Sequence, residues 1–200
     1  MTSTARPVYC SECGVALPGL PPVVCAACGE AHGRNAKPCA GALVTREGSL
    51  LLVRRVQQPW RGAWDIPGGF CEANEHPRDA AVREVREETG PDVEATEMFG
   101  IWMDQYGTPT PGRQPVTTMN VYYLATAPVD ADPAPDPAEV AEAGWFGPDE
   151  LPGDIAFPDH IGPVLQAWRE LRVREVRGRS GCDPARNRPR SRPERPRAPG

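Results

Sequence analysis

The side chains most able to do chemistry are three carboxylates on one predicted helix. An α-helix turns by about 100° per residue, so Glu84, Glu87 and Glu88 fall within an arc of about 100° on its surface. Like charges four residues apart cost about 0.2–0.5 kcal/mol in an isolated helix, and a hard divalent cation removes that repulsion. Mg²⁺ prefers carboxylate oxygens together with the oxygens of substrate phosphates. The spacing therefore favours a Mg²⁺ platform for phosphate chemistry, with a solvated face of charged side chains as the alternative.

The residues around these carboxylates are suited to shaping such a site. Pro67, Gly68 and Gly69 allow a tight loop near the start of the helix, where the backbone can approach a ligand closely. Glu75 can fold back from this loop toward the helix, and Arg83 is placed to pair with a carboxylate and hold its orientation. We therefore expect loop and helix to act together.

Four of the seven cysteines form a second constellation, with the spacing of metal ligands. Cys10 and Cys13 make one Cys-x-x-Cys pair, and Cys25 and Cys28 make another. A glycine follows each pair and lets the backbone turn around a metal. Because this segment has few large apolar side chains, metal binding would have to supply its folding free energy. We predict one structural Zn²⁺ on these four thiolates; the alternative is a disordered leader.

The pattern of apolar residues predicts the elements that position these groups. The predicted elements are two strands within 42–56 that flank a turn at 46–48, a helix over 77–89, strands over 119–125 and 144–146, and an amphipathic closing helix over 161–171. Pro77 suits the first turn of the central helix, and Gly90 suits its stop. Alternating strands and helices indicate an α/β fold.

The chain divides into three regions by composition. Residues 1–38 hold the four-cysteine segment, which we interpret as a zinc ribbon, and residues 39–172 hold the periodic segments of one α/β domain. Residues 173–200 are rich in Arg and Pro without apolar periodicity, which predicts a disordered tail.

Charge and hydropathy exclude several classes of protein. The formal net charge is −5, and the basic residues of the tail leave the rest of the chain more acidic still, so we expect no general nucleic-acid binding. No run of residues is long and apolar enough to predict a membrane span. The first residues lack the charged-then-apolar pattern of a signal peptide, so we expect a cytoplasmic protein.

The spacing of the whole segment Gly69–Pro91 resembles the Nudix box of the Nudix hydrolases. Gly69, Glu75 and the run Arg83-Glu84-Val85-x-Glu87-Glu88-x-Gly90 occupy the defined positions, and only Pro91 stands where a bulky apolar residue is usual. The flanking segments 51–55, 62–69 and 139–152 are also similar to the family. The resemblance covers about 39–172.

This resemblance implies an α/β/α sandwich around a mixed sheet, preceded here by the small zinc ribbon. It also implies hydrolysis of a nucleoside diphosphate linked to another group. By position, Glu84, Glu87 and Glu88 would bind Mg²⁺ or Mn²⁺, Glu75 would complete the site, and Arg83 would orient a box glutamate. The general base stays open among Glu87, Glu88 and Glu139. The expected substrate contacts are Arg54, Arg55, Gly68, Gly69 and Glu139.

A four-cysteine ribbon ahead of such a domain is similar to the NADH pyrophosphatase branch of the family. That branch carries a Ser-Gln-Pro-Trp-x-Phe-Pro-x-Ser signature after the box, whereas residues 98–106 read Met-Phe-Gly-Ile-Trp-Met-Asp-Gln-Tyr. The leading hypothesis is therefore a diphosphatase for ADP-ribose-like or nucleotide-sugar substrates.

Four alternatives remain open: an NADH pyrophosphatase, a clean-up enzyme for oxidised nucleoside triphosphates, a non-catalytic nucleotide sensor, and a zinc-ribbon nucleic-acid protein. The expected partner is a small nucleotide, with neither a membrane nor a nucleic acid. The ribbon would serve as a domain cap or as the contact of a homodimer.

Overall fold

A computed structural model describes residues 8–106 and 115–180 of the chain. Its elements, in chain order, are β1 Val23–Val24, β2 Ala31–His32, β3 Lys37–Arg46, β4 Ser49–Arg55, β5 Trp64–Asp65, β6 Gly68–Phe70, α1 Pro77–Thr89, β7 Glu94–Tyr106, β8 Val116–Thr126, β9 Val140–Phe146 and α2 Ile161–Ser180. The strands and helices predicted from the sequence all lie within this set.

A mixed sheet forms the centre of the domain. Its strands run in the order β5-β4-β3-β8-β7, with β6 also paired to β3 and β9 also paired to β4. The pairing of β3 with β8 is parallel, while the other pairings in this sheet are antiparallel. Parallel neighbours need a long crossover connection, and the intervening chain carries α1 across one face of the sheet.

The two helices cover opposite faces of this sheet. Alternating residues of β3 divide between them: Ala42 and Val44 pack in the cluster that contains α1, and Leu43 packs in the cluster that contains α2. This alternation is the period of two expected of a strand buried on both faces. The predicted α/β/α sandwich with a mixed sheet is therefore confirmed.

Helix α1 has the bounds that its sequence predicts, because its stop and start signals are local. The His76 side chain accepts a hydrogen bond from the Arg78 backbone N–H as the N-cap, and Pro77 takes the first helical position. Gly90 ends the helix at φ 89°, a conformation that favours glycine. The buried residues Ala81 and Val85 fix the face that packs on the sheet, and the carboxylates of Glu84 and Glu88 are thereby turned toward Gly68 and Gly69 of β6.

The sequence analysis does not predict the short strands β1, β2, β5 and β6, and the structure differs from it further at two longer elements. Strand β7, over Glu94–Tyr106, is not predicted from the sequence. It is an edge strand with register shifts near Met98, and its exposed positions include the apolar residues Met98, Ile101 and Met103, so apolar and polar residues do not alternate regularly along it. It begins three residues after Pro91, which ends the box.

Helix α2 is the second difference. It continues to Ser180, past the predicted end at residue 171 and into the expected tail, so the prediction of disorder from 173 is wrong for 173–180. Ion pairs of Arg172 with Glu175 and of Arg174 with Glu170, at helical spacing, stabilise the added turns. The rest of the expected tail, 181–200, lies outside the described residues.

The four-cysteine segment forms a separate small unit. Strands β1 and β2 pair in antiparallel fashion, and a bridge joins Tyr9 to Ala16. Its core consists of Cys10, Leu17 and Cys25, with Val8 and Val23 packed against them. Within 8–106 and 115–180, the model contains no helix with both the length and the apolar character needed to span a membrane.

Candidate active site

A cleft of about 430 Å³ opens beside the N-terminal half of β3. Side chains from α1, from the strands β3 to β8 and from the turn before α2 line it. The two sides of the cleft differ in chemistry. The side next to α1 is rich in carboxylates, and the side formed by β7, β8 and the turn before α2 carries aromatic and hydrogen-bonding side chains.

Glu84 and Glu88 bring two carboxylates of α1 into the cleft, and Glu139 adds a third from the loop before β9. The Gly68 backbone N–H donates to Glu88 Oε2 at 3.0 Å. Burial raises the pKa of Glu88 to about 8 in spite of this hydrogen bond, and burial also raises the pKa of Glu84. Negative charge in this part of the cleft is therefore costly unless a cation balances it.

Strand β6 beside these carboxylates requires glycine because of close packing. A Cβ atom on Gly69 would lie 2.5 Å from Glu84 Oε1, and a Cβ atom on Gly68 would lie 2.5 Å from the Ala40 carbonyl oxygen. Since real Cβ contacts are longer than this, any side chain at Gly69 would displace the Glu84 carboxylate. Gly69 thus leaves room for the Glu84 carboxylate, and Gly68 allows the close approach of β6 to β3.

Arg83 donates hydrogen bonds to three carboxylates of the segment 69–91. Its guanidinium donates to both oxygens of Glu75, at 2.8 and 3.0 Å, and to one oxygen each of Glu84 and Glu87, both at 2.9 Å. The hydrogen bonds from Arg83, with a further one from the Glu72 N–H, lower the pKa of Glu75 to about 2. Glu87 is half exposed at the rim. Glu75 therefore holds Arg83, and Arg83 orients Glu84 and Glu87.

This donor set fits a hard divalent cation. Glu84 and Glu88 present carboxylate oxygens inside the cleft, the shielding of both from solvent favours a compensating positive charge, and Glu139 lines the same cleft. The assignment of these carboxylates to a metal site stays a prediction.

The two neighbouring arginines of β4 have different positions. Arg55 lines the cleft, donates to Asp65 Oδ2 at 2.8 Å and to the Pro59 carbonyl, and lies over the ring of Phe157. Arg54 points away, donates to the Gly62 carbonyl and pairs with Glu142. Of these two arginines, both predicted as substrate contacts, only Arg55 is thus brought to the cleft, where the other predicted contacts Gly68, Gly69 and Glu139 also lie.

Four polar residues of the cleft were not found from the sequence, whereas Tyr106 and Phe157, like Trp102, are candidates for base stacking on sequence grounds. Asp65 is a buried carboxylate whose pKa burial raises, and its place between two apolar residues was a signal that could have found it. Asp104, Tyr122 and His160 meet on the opposite side of the cleft from three distant parts of the chain. An aromatic group formed by Phe70, Tyr106 and Phe157 stands beside them.

The four predicted zinc ligands come together in the ribbon. All four sulfur atoms lie within 4.8 Å of one another, and the Cys10–Cys28 and Cys13–Cys25 sulfur pairs are both 3.6 Å apart. Sulfurs placed tetrahedrally at about 2.3 Å from zinc are about 3.8 Å apart. The geometry fits a structural zinc site.

Comparisons with known proteins agree with this architecture. The family model described as "NUDIX domain" matches residues 36–167. A Nudix hydrolase from Nitrosomonas europaea has a similar crystal structure, with 30% identity and a TM-score of 0.66 over 81% of this chain and 90% of that chain. An ADP-ribose pyrophosphatase from Streptococcus suis has 25% identity and a TM-score of 0.53 over 68% of this chain and 92% of that chain.

A curated relative extends the similarity beyond the central domain. The NAD-capped RNA hydrolase NudC of Stutzerimonas stutzeri is 31% identical over 147 residues, which cover 72% of this chain and 49% of the relative. The chain spans about half, or less, of the length of most of the curated relatives that it matches.

Proposed function

This chain belongs to the Nudix family of hydrolytic enzymes, and on that premise we propose that it hydrolyses a diphosphate bond in a nucleoside diphosphate linked to another group. The observation that carries the proposal is the cleft itself, where the partly buried Glu84 and Glu88 lie against Gly68 and Gly69 of β6 and face a wall of aromatic and polar side chains. Its volume is in the usual range for small-molecule sites.

We further propose that Mg²⁺ or Mn²⁺ serves as the cofactor, as divalent metals generally do in this family. Glu84 and Glu88 would hold the ion, assisted by Glu87 at the rim. When bound, such an ion neutralises diphosphate charge and lowers the pKa of a bound water.

The residues of the chain have distinct roles in this mechanism. The Gly68 N–H keeps one oxygen of Glu88 in place, and Arg83 keeps Glu84 in place. Arg55, already held by Asp65 and Pro59, is positioned to bind a phosphate oxygen with its remaining N–H donors. Glu88 or Glu139 would take the proton of the attacking water, because both line the cleft, whereas Glu87 is engaged by Arg83.

For the substrate we propose an ADP-ribose-like compound or a nucleotide sugar. The aromatic group of Phe70, Tyr106 and Phe157 lines the cleft and would give a nucleobase apolar contacts, and the similar structure from Streptococcus suis is named an ADP-ribose pyrophosphatase. By contrast, Trp102 stacks on Phe99 and packs within the core, so it does not belong to this group.

A dinucleotide such as NADH is a second candidate substrate. The four-cysteine ribbon ahead of the domain and the similarity to a NAD-capped RNA hydrolase favour it. The absence of the Ser-Gln-Pro-Trp signature from the sequence of 98–106 argues against it. We also propose a cytoplasmic location, where reduced thiols would be available to zinc.

A substrate panel tests these proposals. The purified full chain is incubated with Mg²⁺ or Mn²⁺ and with ADP-ribose, UDP-glucose, NADH, NAD-capped RNA or an oxidised nucleoside triphosphate, and the products are identified by mass. We expect the fastest turnover with ADP-ribose or the nucleotide sugar. Glu97→Gln, an exposed change on β7, is the matched control for changes in the cleft. Binding without cleavage of any compound would instead support a nucleotide sensor.

A further inference from the structure

Three residues from separate elements form a hydrogen-bonded chain along the wall of the cleft opposite α1. Asp104 lies on β7, Tyr122 lies on β8, and His160 lies in the turn before α2. Asp104 Oδ2 is 2.6 Å from His160 Nδ1, and His160 Nε2 is 3.0 Å from the Tyr122 hydroxyl. All three residues line the cleft, and all three lie outside the segment Gly69–Pro91 that carries the box carboxylates.

The carboxylate of Asp104 decides where the hydrogens of this chain lie. In the neutral imidazole, this acceptor assigns the ring proton of His160 to Nδ1, which leaves Nε2 with a lone pair. The Tyr122 hydroxyl must then be the donor to Nε2. Burial, with the nearby carboxylates of Asp65 and Asp104, raises the pKa of Tyr122 well above its usual value, so the hydroxyl keeps its hydrogen.

Packing holds these groups in a single arrangement. Tyr122 and His160 are each only 5% exposed, and their rings stack on one another. The second oxygen of Asp104 accepts the Gln105 N–H at 2.6 Å, which anchors the carboxylate to β7. With its hydrogen committed to His160, the Tyr122 oxygen has only lone pairs left, and it can therefore accept hydrogen bonds but cannot donate another.

We propose that Asp104 and His160 are positioning residues that fix the Tyr122 hydroxyl oxygen as a hydrogen-bond acceptor for the nucleoside part of the substrate, from either a ribose hydroxyl or an exocyclic amine. The proposal rests on the proposed function in taking a nucleotide as the ligand. This wall of the cleft would then select the nucleoside, whereas the carboxylates on the side next to α1 would bind the cation and, through it, the phosphates. A nucleoside that lacks the matching donor leaves the buried oxygen unpaired, which costs affinity.

The test measures binding of adenosine monophosphate, which contains no diphosphate bond, to the full chain with its ribbon. The comparison probes are the 2′-deoxy and 3′-deoxy forms, which lack one ribose hydroxyl, and inosine monophosphate, which lacks the amine. We expect the wild type to bind one of these three probes more weakly than adenosine monophosphate, by about 3- to 10-fold. The probe that is disfavoured identifies the donor.

Variants of the protein then distinguish a role of Asp104 and His160 in positioning the Tyr122 hydroxyl from a purely structural role. Tyr122→Phe removes one oxygen and should abolish the discrimination between the probes. His160→Gln can still present an acceptor toward Tyr122, and it should retain more discrimination than His160→Asn, whose shorter side chain reaches only toward Asp104. Tyr123→Phe is the matched control, since Tyr123 faces the α1 side of the same strand, and it should leave discrimination unchanged.

Melting temperatures of all variants are measured alongside the binding. If Tyr122→Phe lowers the melting temperature but keeps the wild-type discrimination, the chain of hydrogen bonds is structural and the proposal is wrong. Equal binding of all four probes by the wild type, or no binding of any, also overturns it. Because the probes cannot be hydrolysed at a diphosphate bond, these outcomes are independent of the substrate panel and do not depend on its result.

Discussion

The ribbon and the Nudix domain both gather side chains of types that ligate metals, but they hold them in different ways. In the ribbon, the buried core includes two of the proposed zinc ligands, Cys10 and Cys25, next to Leu17. In the domain, Glu84 and Glu88 project from a helix whose opposite face packs in an extensive apolar core. We therefore expect the ribbon to depend on the proposed zinc for its stability, whereas we expect the domain to fold without the proposed cation and to bind it afterwards.

The largest effect on turnover is expected from Glu88→Gln. The change keeps the shape of the side chain and removes a charge that the proposed cation needs, so kcat should fall by a factor on the order of 10² to 10³. Steady-state kinetics on the best substrate of the panel measures it, with Glu97→Gln as the control. Unchanged turnover with a normal melting temperature would contradict the proposed metal site.

A smaller loss is expected from Gly69→Ala. The added Cβ would meet Glu84 Oε1 at 2.5 Å, so the carboxylate must move while the core of the domain stays intact. We expect kcat to fall about tenfold, since small displacements of positioned groups are costly, with little change in melting temperature. Gly153→Ala serves as the control, because a Cβ at that position meets nothing within 4 Å.

Glu75→Gln should affect activity by only a few-fold, but it should change how stability depends on pH. The Arg83 guanidinium lowers the pKa of Glu75 to about 2 in the folded protein, below the usual value of 4.5. A lowered folded-state pKa gives stability that is fully present above about 4.5 and is lost as the pH falls toward 2.

The melting temperature of Glu75→Gln should therefore lie below that of the wild type at pH 7, and the gap should narrow below pH 4.5. Thermal unfolding at several pH values between 7 and 3.5 checks this, with Glu94→Gln on the exposed edge of β7 as the control. A gap that is constant over this range would show that the Glu75–Arg83 pair does not supply the difference.

The smallest effect on catalysis is expected from disrupting the ribbon. The double change Cys10→Ser and Cys13→Ser removes two of the four thiolates, so the bound zinc should fall from about one per chain to none. Because the ribbon has its own core, kcat should stay within about twofold of the wild type. Elemental analysis and kinetics measure the two results. A large loss of kcat would mean that the ribbon supports the cleft directly.

The sequence by itself determined the features that depend on near neighbours along the chain. The bounds of α1 follow from Pro77 and Gly90, and the four cysteines meet because two short turns place them. The arc of box carboxylates likewise follows from helical spacing alone. Such features need no partner from a distant segment, since capping, turn formation and helical periodicity act over a few residues.

The tertiary structure decided which of these side chains enter the cleft. Arg54 and Arg55 are adjacent on β4 and point to opposite sides, but only the pairing of β4 within the sheet shows that Arg55 is the one that faces the substrate site. Similarly, Glu88 is partly buried and lines the cleft, while Glu87, one residue away, is exposed at the rim.

Only the tertiary structure could also reveal the opposite wall of the cleft. Asp104, Tyr122 and His160 are separated by 18 to 56 residues and meet through the pairing of β7 with β8 and the docking of α2. The weak alternation of the edge strand β7 concealed the first of them. The physical reason is that long-range strand pairing and helix docking choose among registers that local sequence patterns leave equivalent.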